Sequence, residues 1–218
     1  VVIFDCDLLG FDLPLAAEIQ ATVAERLGTE PHCIALGCTH THNGPCTIRH
    51  VLGGPHDIGC PAEQREAQEA YVVHLIAQLS DAAALADRRR QPARCAAGRG
   101  ETQAAVNREE KNDDGRILVG RNPEGTVDHS VDVLRVDDLQ GQPIAVLVGY
   151  AAHPVVMGMN TYLFSPDYPG TVRRIVEDVT GATCLFLTGA AGNQATWSFL
   201  QGDWGEKERM GGLVGCEA

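Results

Sequence analysis

The residues best equipped for chemistry lie in one short stretch, Cys38-Thr39-His40-Thr41-His42-Asn43-Gly44-Pro45. The apolar run Cys33-Ile34-Ala35-Leu36 leads into it and reads as a buried strand, which Asn43-Gly44-Pro45 stops with turn chemistry. If the extended backbone carries on through His42, the imidazoles of His40 and His42 share a face, because side chains two residues apart on a strand project the same way. Paired imidazoles at the end of a buried strand suit metal binding or proton transfer. Imidazole is the commonest protein metal ligand and titrates near neutrality. Two solvated loop histidines are the competing reading.

A third histidine occupies a similar place more than a hundred residues later. Ile144 to Ala152 is apolar on both faces, reads as a central strand, and runs into His153-Pro154. Here the competing reading is a satisfied core histidine. Thr183 to Thr188 is another buried strand, ending in the small-residue loop Gly189-Ala190-Ala191-Gly192-Asn193. Backbone N–H groups in such a loop can approach a ligand closely and serve as an oxyanion hole, and a plain tight turn reads equally well.

The elements that must position these residues alternate along the chain. Val1 to Leu9 reads as a core strand. Asp12 caps a helix with Pro14 in its first turn, running to Leu27-Gly28. Residues 43–61 form a long loop in which His50 and His56 are solvated, a length that is usually functional or mobile. From Ala62 to Asp87 the pattern is helical, with Ala67, Tyr71, Leu75, Leu79 and Ala82 as its apolar stripe and His74 on the flank. Residues 94–106 read as a strand of small residues, Asn107-Arg108 opens a polar loop through Gly115, and 121–125 is a turn. Val131 to Val136 alternates, and 137–142 joins it as a hairpin to the strand at Ile144. Asp167 caps a further helix with Pro169 in its first turn, and a last helical pattern starts near Leu213. This order predicts a layered α/β domain in which helices flank a mixed β-sheet.

Composition narrows the function classes. The 218 residues are 44% hydrophobic and 21% charged, ordinary for one globular α/β domain spanning 1–218. With 29 acids against 17 bases the net charge is −12, and the one basic run, Arg88-Arg89-Arg90, reads as a solvated helix end; nucleic acid is not the expected partner. None of the eight cysteines forms a Cys-x-x-Cys pair, which argues against a zinc ribbon. Cys38, Cys46 and Cys60 flank the histidines and leave a disulfide or a Cys/His metal site open, so cysteine usage does not fix the compartment. No run of about 18 apolar residues predicts a transmembrane segment. The chain opens inside an apolar run without Met and reads as an incomplete piece of a larger catalytic domain.

Taken together, the motifs resemble those of the neutral/alkaline non-lysosomal ceramidases. Thr39-His40-Thr41-His42-Asn43-Gly44-Pro45 is similar to that family's Thr-His-Thr-His-Ser-Gly-Pro stretch, Asn107-Arg108 to a following Asn-Arg, and Tyr150-Ala151-Ala152-His153 to its strand ending in a zinc-binding His. Ser165-Pro166-Asp167-Tyr168 resembles its Ser-Gly-Asp segment, and Phe186 to Asn193 its small-residue catalytic loop. The resemblance implies an amidase that cuts the N-acyl bond of a ceramide-like lipid at a single Zn2+. It implies that His40 and His153 are zinc ligands, and that His42 and Arg108 contact substrate or the developing oxyanion. The family's remaining ligands, a Glu and a Tyr, lie further on than this chain reaches. The nucleophilic serine of the family aligns with Gly189, and Asn193 stands where the family has Asp.

The chemistry also follows without the family name. Imidazoles from separate strand ends form a partial zinc shell, and zinc lowers the pKa of water to about 7 and polarises a carbonyl. Arg108, or the amides at Gly189 and Ala190, would then hold the oxyanion; the resemblance adds Asn193 as a substrate contact. Three readings are carried forward: a ceramidase-type zinc amidohydrolase; a zinc hydrolase of the same fold that uses water on a smaller amide or ester; and a catalytically inactive, metal-stabilised binding domain.

Overall fold

The structure, a computed structural model, describes residues 1–48, 62–158 and 161–218; the expectations for His50, His56 and Cys60 lie outside them. Strand β1 (Val2–Cys6) leads into helix α1 (Leu13–Leu27). The Asp12 carboxylate accepts the Leu15 N–H at 2.9 Å, and Gly28 closes the helix in the left-handed conformation. One 3₁₀ turn, Pro31–Cys33, delivers the chain to β2 (Ile34–Cys38), which pairs with β1 in parallel from Val2 opposite Ile34 to Cys6 opposite Cys38.

Helix α2 (Ala62–Arg88) packs on α1, and its Arg88-Arg89-Arg90 end is exposed as expected. Its buried face is Val72, Leu79 and Ala83, with Leu75 and Ile76 at its margin, whereas Ala67, Ala82 and His74 are exposed. Of the expected stripe, Tyr71, Leu75 and Leu79 pack in this core, while Ala67 and Ala82 do not; Val72 and Ala83 take the remaining buried places.

The segment expected as one small-residue strand is two. Strand β3 (Ala93–Glu101) stops, the chain turns at 102–104, and β4 (Ala105–Lys111) runs in a different sheet. Asn107 and Arg108 therefore sit in a strand, not at the head of a loop. Asn107 is opposite Asn122 of β5 (Ile117–Asn122) and opposite Gln194 of a short strand met later. Strands β6 (Ser130–Asp138) and β7 (Pro143–Tyr150) form the expected hairpin. Helix α3 (Tyr168–Thr180) then crosses to β8 (Thr183–Thr188), parallel to β7. Strand β9 (Gln194–Thr196) and helix α4 (Trp204–Gly215) complete the described elements. Helix α4 begins nine residues before Leu213. Its charged 206–209 run and Gly211-Gly212 mask the apolar period, while Asp203 caps it by accepting from Gly205 and Glu206.

The result is the layered α/β arrangement expected, with its strands in three sheets: β1-β2, the mixed β3-β6-β7-β8, and β5-β4-β9. Two main cores result. One joins β1 and β2 to α1 and α2 through Phe4, Leu15, Ile19, Val23, Ile34 and Val72. The other joins the four-stranded sheet to α3 and α4 through Val131, Val148, Tyr168, Val172, Phe186 and Met210. Among the described residues, no helix is long and apolar enough to cross a membrane.

Candidate metal centre

His40 and His42 follow β2, which packs in the first of these cores, and His153 follows β7, which packs in the second; the fold brings all three together. One ring nitrogen from each lies within 4.8 Å of the others. Ring centroids are 4.5 Å apart for His40 and His153, 5.1 Å for His42 and His153, and 5.3 Å for His40 and His42. The expected approach of His40 to His153 is met, but the strand geometry offered for the first pair is not. Strand β2 ends at Cys38, and His40 takes a left-handed φ of 65°. The imidazoles of His40 and His42 then stand almost perpendicular, at 89°, instead of side by side. The cause lies in the backbone. Past the ladder the Thr39 N–H bonds to Cys6 O at 2.9 Å and the His40 N–H to Leu8 O at 3.0 Å, so the chain bends to follow the segment after β1.

Two of the rings are oriented by backbone carbonyls. His40 Nδ1 lies 2.7 Å from Leu9 O, and His153 Nδ1 lies 3.1 Å from Ala191 O. A carbonyl only accepts, so each Nδ1 carries the proton and each Nε2 turns its lone pair inward, the arrangement by which metal-binding histidines are commonly held. His42 Nε2 stands 3.0 Å from His153 Nε2. This is hydrogen-bond distance: with His153 protonated at Nδ1, the His42 Nε2–H donates to the His153 Nε2 lone pair. His153 is buried, His40 half-buried and His42 exposed. Burial pushes the His153 pKa down to about 4; its bond to Ala191 O opposes this, while the Arg108 charge and the other two imidazoles add to it. His42 is lowered too, by burial first and then by His40 and Arg108. At neutral pH His42 and His153 are therefore neutral, the form a cation needs. Geometry and donor set both fit a metal ion.

The cluster stands between two hollows. The larger, about 270 Å³, is lined by His40, His153, Cys38, Thr188, Gly189 and Gly192 among others. The smaller, about 150 Å³, has His42 and Asn43 on one side and Val155 and Leu200 on the other. Arg108 approaches through the loop after β8: its N–H donates to Asn193 O at 2.8 Å and its Nε to Gly192 O at 2.9 Å. Burial lowers the Arg108 pKa from its usual value. Gly189 lies on the larger hollow, but its N–H donates to Tyr150 O at 3.0 Å and is lost to an oxyanion hole; only the rest of the loop can supply amides. A Cβ at Gly189 would lie 3.0 Å from Ala151 Cβ, tighter than ordinary packing. Thr188, the last residue of β8, lines the same hollow, and its hydroxyl donates to Thr39 O at 2.7 Å. Asn193 is half-buried and is not among the residues lining the hollow; its carbonyl accepts the Arg108 N–H.

Sequence reasoning missed the parts of the site that any residue can supply. The carbonyls of Leu9 and Ala191 orient two imidazoles, and no side chain advertises them. Gln194 is buried on β9: its carbonyl receives the His153 N–H at 2.9 Å, and its side chain bridges Ala151 O and the Asp128 N–H. A polar residue among small apolar ones was its only signal. Cys38 and Cys46 are free thiols, so neither forms the disulfide left open, and among the described residues the potential metal ligands are the three histidines alone.

No protein-family model and no curated protein matches the chain. Solved structures do. A ceramidase complexed with C2 superposes with a TM-score of 0.76 at 21% identity, over 99% of this chain and 35% of that one. The neutral ceramidase from Pseudomonas aeruginosa does so with a TM-score of 0.73 at 22% identity, with the same coverage of both chains. The chain therefore has the fold of the neutral ceramidases, over about a third of the length of the solved ones.

Proposed function

We propose that the chain carries the histidine side of a zinc-dependent amide hydrolase of the ceramidase type, acting on ceramide or a related N-acyl compound. The observation that carries this reading is the convergence of His40, His42 and His153, from segments more than a hundred residues apart, within a ceramidase fold. His40 and His153, each fixed by a carbonyl, would hold the ion. When bound, zinc acidifies water and polarises the scissile carbonyl. His42, exposed and neutral, takes up a proton or donates to the oxyanion. Arg108, tethered to Gly192 O, adds positive charge at the edge of the loop.

The attacking group in this reading is water. Residues 189–192 are Gly-Ala-Ala-Gly and carry no hydroxyl, and the Thr188 hydroxyl is committed to Thr39 O. The size of the larger hollow, about 270 Å³, supports a second reading, a smaller amide or ester as substrate.

Substitutions assayed on ceramide and on simple N-acyl amides test both. His40→Ala and His153→Ala should abolish zinc retention in equilibrium dialysis. His42→Ala should keep most of it and lose about 10²–10⁴ in rate. Thr188→Val should keep most activity; a loss as severe as that of a ligand would make the threonine the nucleophile. A zinc-loaded protein that cuts none of these substrates would leave the binding-domain reading.

A further inference from the structure

The metal centre is assembled across a seam, and the seam is polar. His40 and His42 ride on the loop after β2, which belongs to the α1–α2 core, while His153 belongs to the core under α3 and α4. Their relative position depends on what joins the two.

The histidine loop is seated on residues 6–10. Thr39 and His40 donate to Cys6 O and Leu8 O, His40 Nδ1 to Leu9 O at 2.7 Å, and Thr47 Oγ1 to Gly10 O at 2.6 Å. Gly44 also rests on this segment, since a Cβ there would lie 2.6 Å from Asp7 O. The segment is gripped from the other side of the seam by Arg173 of α3. One guanidinium nitrogen reaches Asp5 Oδ2 at 3.0 Å, and the other reaches both Asp7 oxygens at 2.7 and 2.6 Å. Asp5 Oδ2 also accepts the Phe186 N–H of β8 at 2.8 Å. A planar, always-charged fork that meets two carboxylates at once is a task for arginine and not for lysine.

We infer that Arg173, acting through Asp5 and Asp7, is a positioning residue for the histidine cluster: it fixes residues 7–9, and with them the Leu9 carbonyl that orients His40 toward His153. This inference rests on the metal reading for its consequence but not for its geometry. Partners that orient ligands from outside the shell are commonly worth about 10–100-fold in metal affinity.

The test uses Asp7→Asn and Arg173→Lys in the full chain, variants that keep hydrogen-bonding capacity or charge while losing the bidentate grip. Two readouts are taken on each: zinc affinity by competition with a chromophoric chelator, and the His40 tautomer by long-range imidazole ¹⁵N NMR of the metal-free protein. Far-UV circular dichroism establishes that the variants are folded. The expected result is a loss of about tenfold or more in zinc affinity, with a fall in the Nδ1–H population of His40 and none in that of His153. Arg173→Lys with wild-type affinity and wild-type His40 tautomer would overturn the inference, as would Asp7→Asn with both unchanged. If the wild-type chain itself takes up no zinc, two histidine ligands do not suffice to hold the ion, and the His40 tautomer alone then decides the positioning role.

Discussion

His153 is the imidazole on which burial acts hardest, and that has a consequence for stability in the metal-free protein. Its folded-state pKa is about 4 against an ordinary 6.5. As pH falls through 6.5 the unfolded chain takes a proton that the folded chain refuses, so the unfolded state binds more protons and stability falls. The loss is complete once the pH passes below about 4. A shift of this size corresponds to about 2–4 kcal/mol. Chelator-treated protein titrated with urea between pH 7 and pH 4 should lose that much, and His153→Gln should lose markedly less over the same range. An equal slope in both would mean that His153 does not stay neutral in the fold. At this scale the sequence was informative about identity and silent about orientation. His40, His42 and His153 stood out by type and by their places after apolar runs. The left-handed turn at His40 and the carbonyls of Leu9 and Ala191 have no sequence signature, because backbone groups are common to every residue.

Elements whose ends carry their own chemistry were legible, and those defined by a neighbour were not. Helix α1 is bracketed by Asp12 and Gly28, and the β6–β7 hairpin by alternation and a turn, so local signals sufficed. The break between β3 and β4 falls inside a run of alanine and glycine, and only pairing with β5 and β9 moves β4 to another sheet. Strand β2 is a third case, where a glycine encodes contact. Gly37 sits opposite Asp5, and a Cβ there would lie 2.7 Å from Phe4 O and 3.0 Å from Leu187 Cδ2. Backbone cannot yield as a flexible side chain can, so Gly37→Ala must push β2 away from β1 and carry the histidine loop with it. The expected cost is about 1–3 kcal/mol, the range for overpacking, together with weaker zinc binding. Gly98→Ala on β3, where nothing lies within 4 Å of the added methyl, should leave zinc binding unchanged. Denaturant melts and chelator competition on the two variants check both halves; zinc binding unaffected by Gly37→Ala would detach the register of β2 from the site.

At the scale of the whole molecule, an ion at the histidine cluster would do for the two cores what a cross-link does. The α1–α2 core and the α3–α4 core meet through polar ties: Arg173 on Asp5 and Asp7, Thr188 Oγ1 on Thr39 O at 2.7 Å, and Thr41 Oγ1 on Ser165 O at 2.7 Å, with the Ser165 N–H on Asn43 O at 3.0 Å. Each of these bonds contributes only about 0.5–1.5 kcal/mol net. An ion held at once by His40 and His153, as proposed, would add a further tie. A ligand at a hundred times its dissociation constant stabilises the folded state by about 2.7 kcal/mol, which in a chain of this size raises Tm by about 5–10 °C. The distribution of that gain is the sharper prediction. Hydrogen exchange on zinc-loaded protein should slow in residues 38–44 and also in 150–155 and 188–194, on both sides of the seam, relative to chelated protein. In His153→Ala, which should lose the ion, added zinc should slow exchange on neither side. Protection that rises on one side alone in the wild-type chain would mean that the ion is not shared between the two cores, and the seam would then have to be held by its hydrogen bonds and by Arg173.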